Sequence, residues 1–226
     1  MANANSPFGI CTINLIMIKN LKRIMQWGCL ILFIISSSVC FTFLATLVTY
    51  PIDINYFHLL DIIPIEFKTL LNNYYQLLAY LCLPWINKLV IPNFPSSTNG
   101  LAHFAAVKQL LLFNNISMLI TGYVAVKFLI TLRKNKQAWQ LRYLVTGLLI
   151  VIIGIGIGML SNFDKFFVIF HQLLFHNYDW LFDPNTDPII NALPITFFEQ
   201  CFVIFGILLL IWLISLLFIS SKNKSR

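Results

Sequence analysis

Four stretches of the chain are almost continuously apolar, and the polar and charged residues gather between them. The apolar runs are 27–48, 109–132, 143–161 and 197–219. Each is near the roughly 20 residues that a helix needs to cross a bilayer core. The pattern predicts an all-α membrane protein of four transmembrane helices. A short segment, 133–142, joins the middle pair, while two long loops, 49–108 and 162–196, are large enough to form a small extracellular cap with room for short strands. The first run is too long for the apolar region of a signal peptide and lacks a small-x-small cleavage site, so it reads as an uncleaved signal anchor.

Composition agrees: 59% of the 226 residues are hydrophobic and only 10% are charged, against about 25% charged in an average soluble domain. The net charge of +7 would suit nucleic acid until the charges are placed. Lys19, Lys22 and Arg23 precede the first run, Arg133, Lys134, Lys136 and Arg142 flank the short loop, and Lys222, Lys224 and Arg226 follow the last run. Lys127 can snorkel to the same side. All eight carboxylates, with Lys68, Lys88, Lys108 and Lys165, fall on the other side. Basic loops stay cytoplasmic. The N-terminal segment 1–26 and the C-terminal segment 220–226 are therefore expected inside, and both long loops outside. The basic excess reports topology and contact with anionic membrane lipids, and leaves no folded basic surface for nucleic acid.

The first loop is itself apolar between Ile65 and Leu81, which predicts a helix on the outer interface, ended by Pro84, Pro92 and Pro95. Ser96–Asn99 offers caps for a helix running through His103 into the second span. Gly154 and Gly158 have the small-xxx-small spacing of packed membrane helices. The five cysteines, Cys11, Cys29, Cys40, Cys82 and Cys201, show no metal-ligand or disulfide spacing and read as apolar filler. No metal or other cofactor is expected.

All four histidines, His58, His103, His171 and His176, fall on the predicted outer side. Histidine is the natural general base near neutral pH. His103 and His171 stand out because each lies close to a predicted membrane boundary in apolar sequence, Leu-Ala-His-Phe-Ala-Ala-Val-Lys and Phe-Val-Ile-Phe-His-Gln-Leu-Leu-Phe-His. That placement suits a base acting on a lipid or a lipid-anchored substrate. His171 and His176 are five apart and cannot share a helix face. Asp179, Asp183 and Asp187 lack the spacing and glycine of a calcium loop; with Asp-Pro twice they read as a turn, anchored by Trp180 and Phe182.

The segment 170–198 reads F-H-x-L-x-F-x-N-x-D-W-x-F-D-P-x-x-D-x-x-I, then L-P-x-x-F-F. With four spans, a large first outer loop and a histidine just before Val107–Lys108, it resembles the lipoprotein intramolecular transacylase family. The resemblance implies a Gram-positive membrane enzyme acting on diacylglyceryl-modified lipoproteins. Members move the sn-2 acyl chain of the diacylglyceryl-cysteine to the cysteine α-amino group, giving an N-acyl lyso-form. It implies His171 as catalytic base and His103 as second acid/base or oxyanion partner. Asn177, Asp179, Trp180, Asp183 and Asp187 would shape the substrate site, and Lys108 would lie near a headgroup. One position departs from the pattern: where the family usually has His-Met-x-Asp-Val-Lys, this chain has Ala106 in the acidic place. The rival reading is a non-catalytic membrane protein that binds lipid or stabilises a membrane complex.

Overall fold

The computed structural model describes residues 7–221; Lys222, Lys224 and Arg226, and the side chain of Cys11, lie outside the described residues. The helices are α1 (Pro7–Tyr56), α2 (Leu59–Ile62), α3 (Phe67–Cys82), α4 (Thr98–Lys134), α5 (Leu141–Ser161), α6 (Phe163–Leu174), α7 (Ile189–Ala192) and α8 (Ile195–Ser221), with a 3-10 turn at Ala138–Gln140. Among the described residues there is no strand. Helices α1, α4, α5 and α8 are long and apolar enough to cross a membrane. α1 packs against α4 and α8, and α5 against α8.

Two of these helices run well past the apolar stretches that announced them. α1 continues through Pro51 to Tyr56. A proline inside a helix has no N–H to give the carbonyl four residues back. That carbonyl, on Leu47, accepts instead from the hydroxyl of Tyr75 on α3 at 3.2 Å. α4 begins eleven residues before the apolar run, at Thr98, because Ser97 caps it: its Oγ accepts from the Gly100 amide at 3.0 Å. His103 and Lys108 therefore sit on a rigid helix and not in a loop.

The bundle has two cores. At one end, Arg23 of α1 donates to the side-chain carbonyls of Gln137 and Gln140 at 3.0 and 2.6 Å. Below it Leu30, Ile34, Phe128, Leu141, Leu213 and Leu216 close an apolar core. The basic positions that flank the first run and the short loop thus meet at one end. At the other end α3 lies against α4, burying Leu70, Tyr74, Leu77 and Leu81. Tyr50 of α1 stacks on Tyr74 at 3.6 Å, meets Phe197 edge-on at 5.7 Å, and donates to the Ala192 carbonyl at 2.9 Å. The expected interfacial helix is thus the centre of a folded cap.

α1 and α4 cross closely at Gly122, where an added Cβ would lie 2.9 Å from a ring carbon of Phe33. The expected packing role of Gly154 and Gly158 is not met among the described residues, none of which lies within 4 Å of where their side chains would be. α5 touches the bundle along one side only, and the glycines lie on its exposed face.

Candidate active site

His103 lies in the second turn of α4 and His171 in the last turn of α6. α6 is held at its start by Asn162, whose Oδ1 accepts from the Lys165 amide at 2.9 Å. Its phenylalanines lie on α8. Phe166 and Phe170 meet Phe202 at 5.1 and 5.0 Å, and Phe167 meets Phe198 at 5.2 Å. With that face spent on packing, His171 is turned toward α4. The two imidazoles come within 5.8 Å, centroid to centroid, at 38°.

Aromatic rings enclose the pair. Trp180 lies 4.9 Å from His171 at 30°. Phe175 lies 4.9 Å from His103 and 5.9 Å from His171. Phe182 packs edge-on against His103 at 5.5 Å and Phe104 at 5.4 Å. Both histidines are buried, 9% and 8% exposed.

The nitrogens of the two rings are held differently. His171 Nδ1 is 2.8 Å from the Phe167 carbonyl. A carbonyl can only accept, so Nδ1 carries the proton and the neutral ring presents the Nε2 lone pair. Burial holds His171 below the ordinary imidazole value, opposed by that hydrogen bond, so the ring is neutral at pH 7. His103 Nδ1 is buried and has no hydrogen-bond partner. Ala106 follows His103 by three residues, near the same helix face, and has no group to offer that nitrogen.

The turn that carries the second-loop motif is built by its own polar groups. Asn177 accepts twice, from the Asp179 amide through Oδ1 and from Trp180 Nε1 through its backbone carbonyl, at 3.3 and 3.0 Å. It fixes the indole against His171 without facing the histidines. Asp183 is exposed, and its Oδ1 accepts from the amide and side chain of Asn185, both at 2.9 Å. Asp187 is 3% exposed. Its Oδ1 accepts from the Ser97 amide at 2.8 Å and its Oδ2 from the Thr186 hydroxyl at 2.9 Å. The carboxylate thus sits at the N-terminus of α4, where the helix dipole favours an anion, and ties the second loop to the helix bearing His103. A Cβ on Gly100 would lie 2.1 Å from Asp187 Oδ1, so only glycine leaves room for the clamp.

Lys108 is a correction. Its ammonium donates to the carbonyls of Tyr80, Leu83 and Ile86 at 2.6, 2.8 and 2.5 Å. These carbonyls lie in and just beyond the last turn of α3, where a helix runs out of its own donors; that of Leu83 also accepts from the Ile86 amide at 3.4 Å. All three of its protons are used, and the side chain is 9% exposed, so Lys108 caps α3 and has none left for a headgroup. His58 pairs with Asp61 at 3.6 Å on the surface, and His176 is exposed; neither joins the site. Among the described residues no group of three potential metal ligands converges. The sequence reading missed the aromatic walls Phe104 and Phe175 and the role of Gly100. Phe175 sits four residues after His171, a one-turn spacing that marks it as a neighbour.

The fold has counterparts among known proteins. The family model described as lipoprotein intramolecular transacylase Lit matches residues 24–198. The in meso structure of the membrane integral lipoprotein intramolecular transacylase Lit from Bacillus cereus superposes with a TM-score of 0.83 at 29% identity, over 92% of this chain and 98% of that one. A structure of the same protein with one histidine changed to alanine gives 0.74 at 28% identity, over 92% and 96%. A comparison with curated proteins found no match. The chain belongs to the lipoprotein intramolecular transacylase family, acyltransferases of the membrane, and is itself a multi-pass membrane protein.

Proposed function

We propose that this chain moves the sn-2 acyl group of a diacylglyceryl-cysteine to the α-amino group of the same cysteine, with His171 as general base and His103 as its partner. The observation that carries the reading is the pairing of two buried imidazoles, 5.8 Å apart on different helices, one of which presents a free Nε2 lone pair because its Nδ1 is bound to a carbonyl. His171 Nε2 takes a proton from the cysteine ammonium. The freed nitrogen attacks the ester carbonyl, and the tetrahedral intermediate collapses by breaking the bond from the acyl carbon to the sn-2 oxygen. The nitrogen loses its second proton, the sn-2 oxygen gains one to become a hydroxyl, and one proton leaves to water. His103 steadies the oxyanion or passes the proton to the sn-2 oxygen. Nucleophile and ester belong to one molecule, so orientation removes much of the barrier, and no enzyme nucleophile is needed.

The aromatic box supports the reading, because a dry site strengthens each charge interaction within it. Trp180, set by Asn177 and Asp179, is a wall of the substrate site, with Asp183 holding the turn and Asp187 clamping it to α4. Lipoproteins and membrane lipids are the partners this reading requires. The inner placement of the basic end and the outer placement of the histidine end follow from the charge distribution along the chain. The test is mass spectrometry of lipoprotein N-termini in a host that supplies diacylglyceryl lipoproteins. Expression of the chain yields N-acyl lyso-forms, and expression of His171→Ala does not. Unchanged N-termini with the unaltered chain would overturn the reading.

A further inference from the structure

At the end of the bundle opposite the histidine pair, an open groove of about 450 Å³ runs between α1 and α5. Its lining is Trp27, Trp139, Gln140, Tyr143 and Leu144. α1 and α5 each pack on α8, and the groove is the space left between them. Trp27 lies edge-on against Phe128 at 4.8 Å, and Trp139 against Tyr143 at 5.9 Å. Trp139 and Tyr143 are 52% and 73% exposed, so one wall of the groove is two large rings standing on the surface. Charge stands at its mouth. Arg23, one turn before Trp27, donates through Nη2 to Gln137 and to the groove residue Gln140. Both acceptors are neutral amides. Every carboxylate side chain of the sequence falls within 53–66 or 164–199, so among the described residues none lies at this end. Lys19, exposed, continues the stripe one turn further out: positions 19, 23 and 27 are four apart and share a helix face.

We propose that this groove holds one anionic glycerophospholipid, its phosphate on Arg23 and Lys19 and an acyl chain against Trp27, Trp139 and Leu144. Depth argues for a lipid over a soluble ligand. Trp27 opens the first apolar run, which sets it at the edge of the hydrocarbon. Arg23 stands about 6 Å and Lys19 about 12 Å beyond it at 1.5 Å per residue. The headgroup layer on each side of a bilayer is about 5–8 Å deep, so the guanidinium is level with the phosphates and the longer lysine reaches back to them. Exposed Trp and Tyr are favoured at the same boundary. Charge argues for an anionic lipid over a zwitterionic one. A guanidinium held by two neutral acceptors keeps its full charge, and its planar fork suits a phosphate. A zwitterionic headgroup would bring a further cation against Arg23 and Lys19, and an anionic one does not. The site is remote from the histidines, so this lipid takes no part in the proposed reaction. It fills the gap between α1 and α5 and joins them.

The experiment uses the full chain in phosphatidylcholine vesicles. A trace of phosphatidylglycerol or of phosphatidylcholine is added, each with a photoreactive diazirine at the same place in one acyl chain. Expected is labelling of Trp27 or of 139–144, about thirtyfold stronger from the phosphatidylglycerol probe, the worth of two basic side chains at a membrane surface. Arg23→Gln should cut that preference about fivefold, the share of one of them. The exposed Trp139→Ala, which leaves the core untouched, should lower the yield at the remaining groove residues. Lys134→Gln, basic and exposed but outside the lining, should change neither. Equal labelling by the two probes, or labelling elsewhere, would overturn the site. A loss in Lys134→Gln as large as in Arg23→Gln would overturn it too, by showing a general attraction of charge. Exclusion of both probes, with a dimer in native mass spectrometry, would assign the groove to a second copy of the chain instead.

Discussion

The two helices that bring the histidines together make them in opposite ways. α6 is a short helix of twelve residues whose histidine is fixed locally, by the carbonyl one turn earlier and by an indole set from the following turn. α4 is 37 residues long and places its histidine through distant contacts, by the Asp187 clamp at its start and by Lys108 tying α3 to it. Yet the ring so carefully located has a free Nδ1. One histidine has a defined tautomer on a small element; the other has a defined position and an undefined tautomer. The fixed Nδ1–H of His171 is what suits it to the base role proposed above.

Variants can break that division. His171→Ala should lower turnover by about 10²–10⁴-fold, the usual worth of a positioned general base. His103→Ala should cost somewhat less, about 10²–10³-fold, as for loss of one oxyanion donor. Both are read by single-turnover mass spectrometry of a lipopeptide, with thermal melting to confirm folding. If the two losses were reversed in size, the roles would be reversed too. Gly100→Ala drives a methyl group into the Asp187 carboxylate. It should lower stability by about 1–3 kcal/mol, seen as a lower melting temperature, and turnover should fall in step as His103 shifts.

Subtler changes sharpen the contrast. Ala106→Asp offers the orphan Nδ1 of His103 a carboxylate one turn on. If an untethered ring limits the reaction, turnover should rise several-fold, up to about tenfold for a hydrogen bond of ordinary strength. A fall would mean that His103 works better unpaired. Burial lowers the His171 value, so the active neutral form persists as pH drops, and the acidic limb of kcat/KM should lie below pH 6.5, the ordinary imidazole value. Trp180→Ala admits water to the ring, and the limb should move upward toward that value. An unmoved limb would show that the indole does not shield His171.

The spans were legible because a bilayer imposes a minimum length of apolar sequence. The overrun of α1 was not, since Pro51 argues locally against it and its compensation comes from Tyr75, 28 residues away along the chain. His103 and His171 stood out by their apolar surroundings, which is also why they are buried. Lys108 looked free for the same reason that it is not: its partners lie 22 to 28 residues earlier, and nothing in spacing reveals a lysine that caps another helix. Phe104 and Phe175 were lost among 21 phenylalanines, most of which face neighbours or lipid. The acidic turn was correctly a turn, but its last carboxylate, Asp187, proved to be a joint between two loops.

The long helices carry one more consequence. α1 has 50 residues and α4 has 37, or about 75 Å and 55 Å of continuous helix at 1.5 Å per residue, against a hydrocarbon core about 30 Å thick. His103 is therefore mounted on a strut, α4, whose height is set by the protein, while the ester it would reach on the proposed reading floats at a height set by the lipid. A thinner or thicker membrane moves one relative to the other unless the bundle tilts. Bilayer thickness becomes, in effect, a setting on the distance between catalyst and substrate.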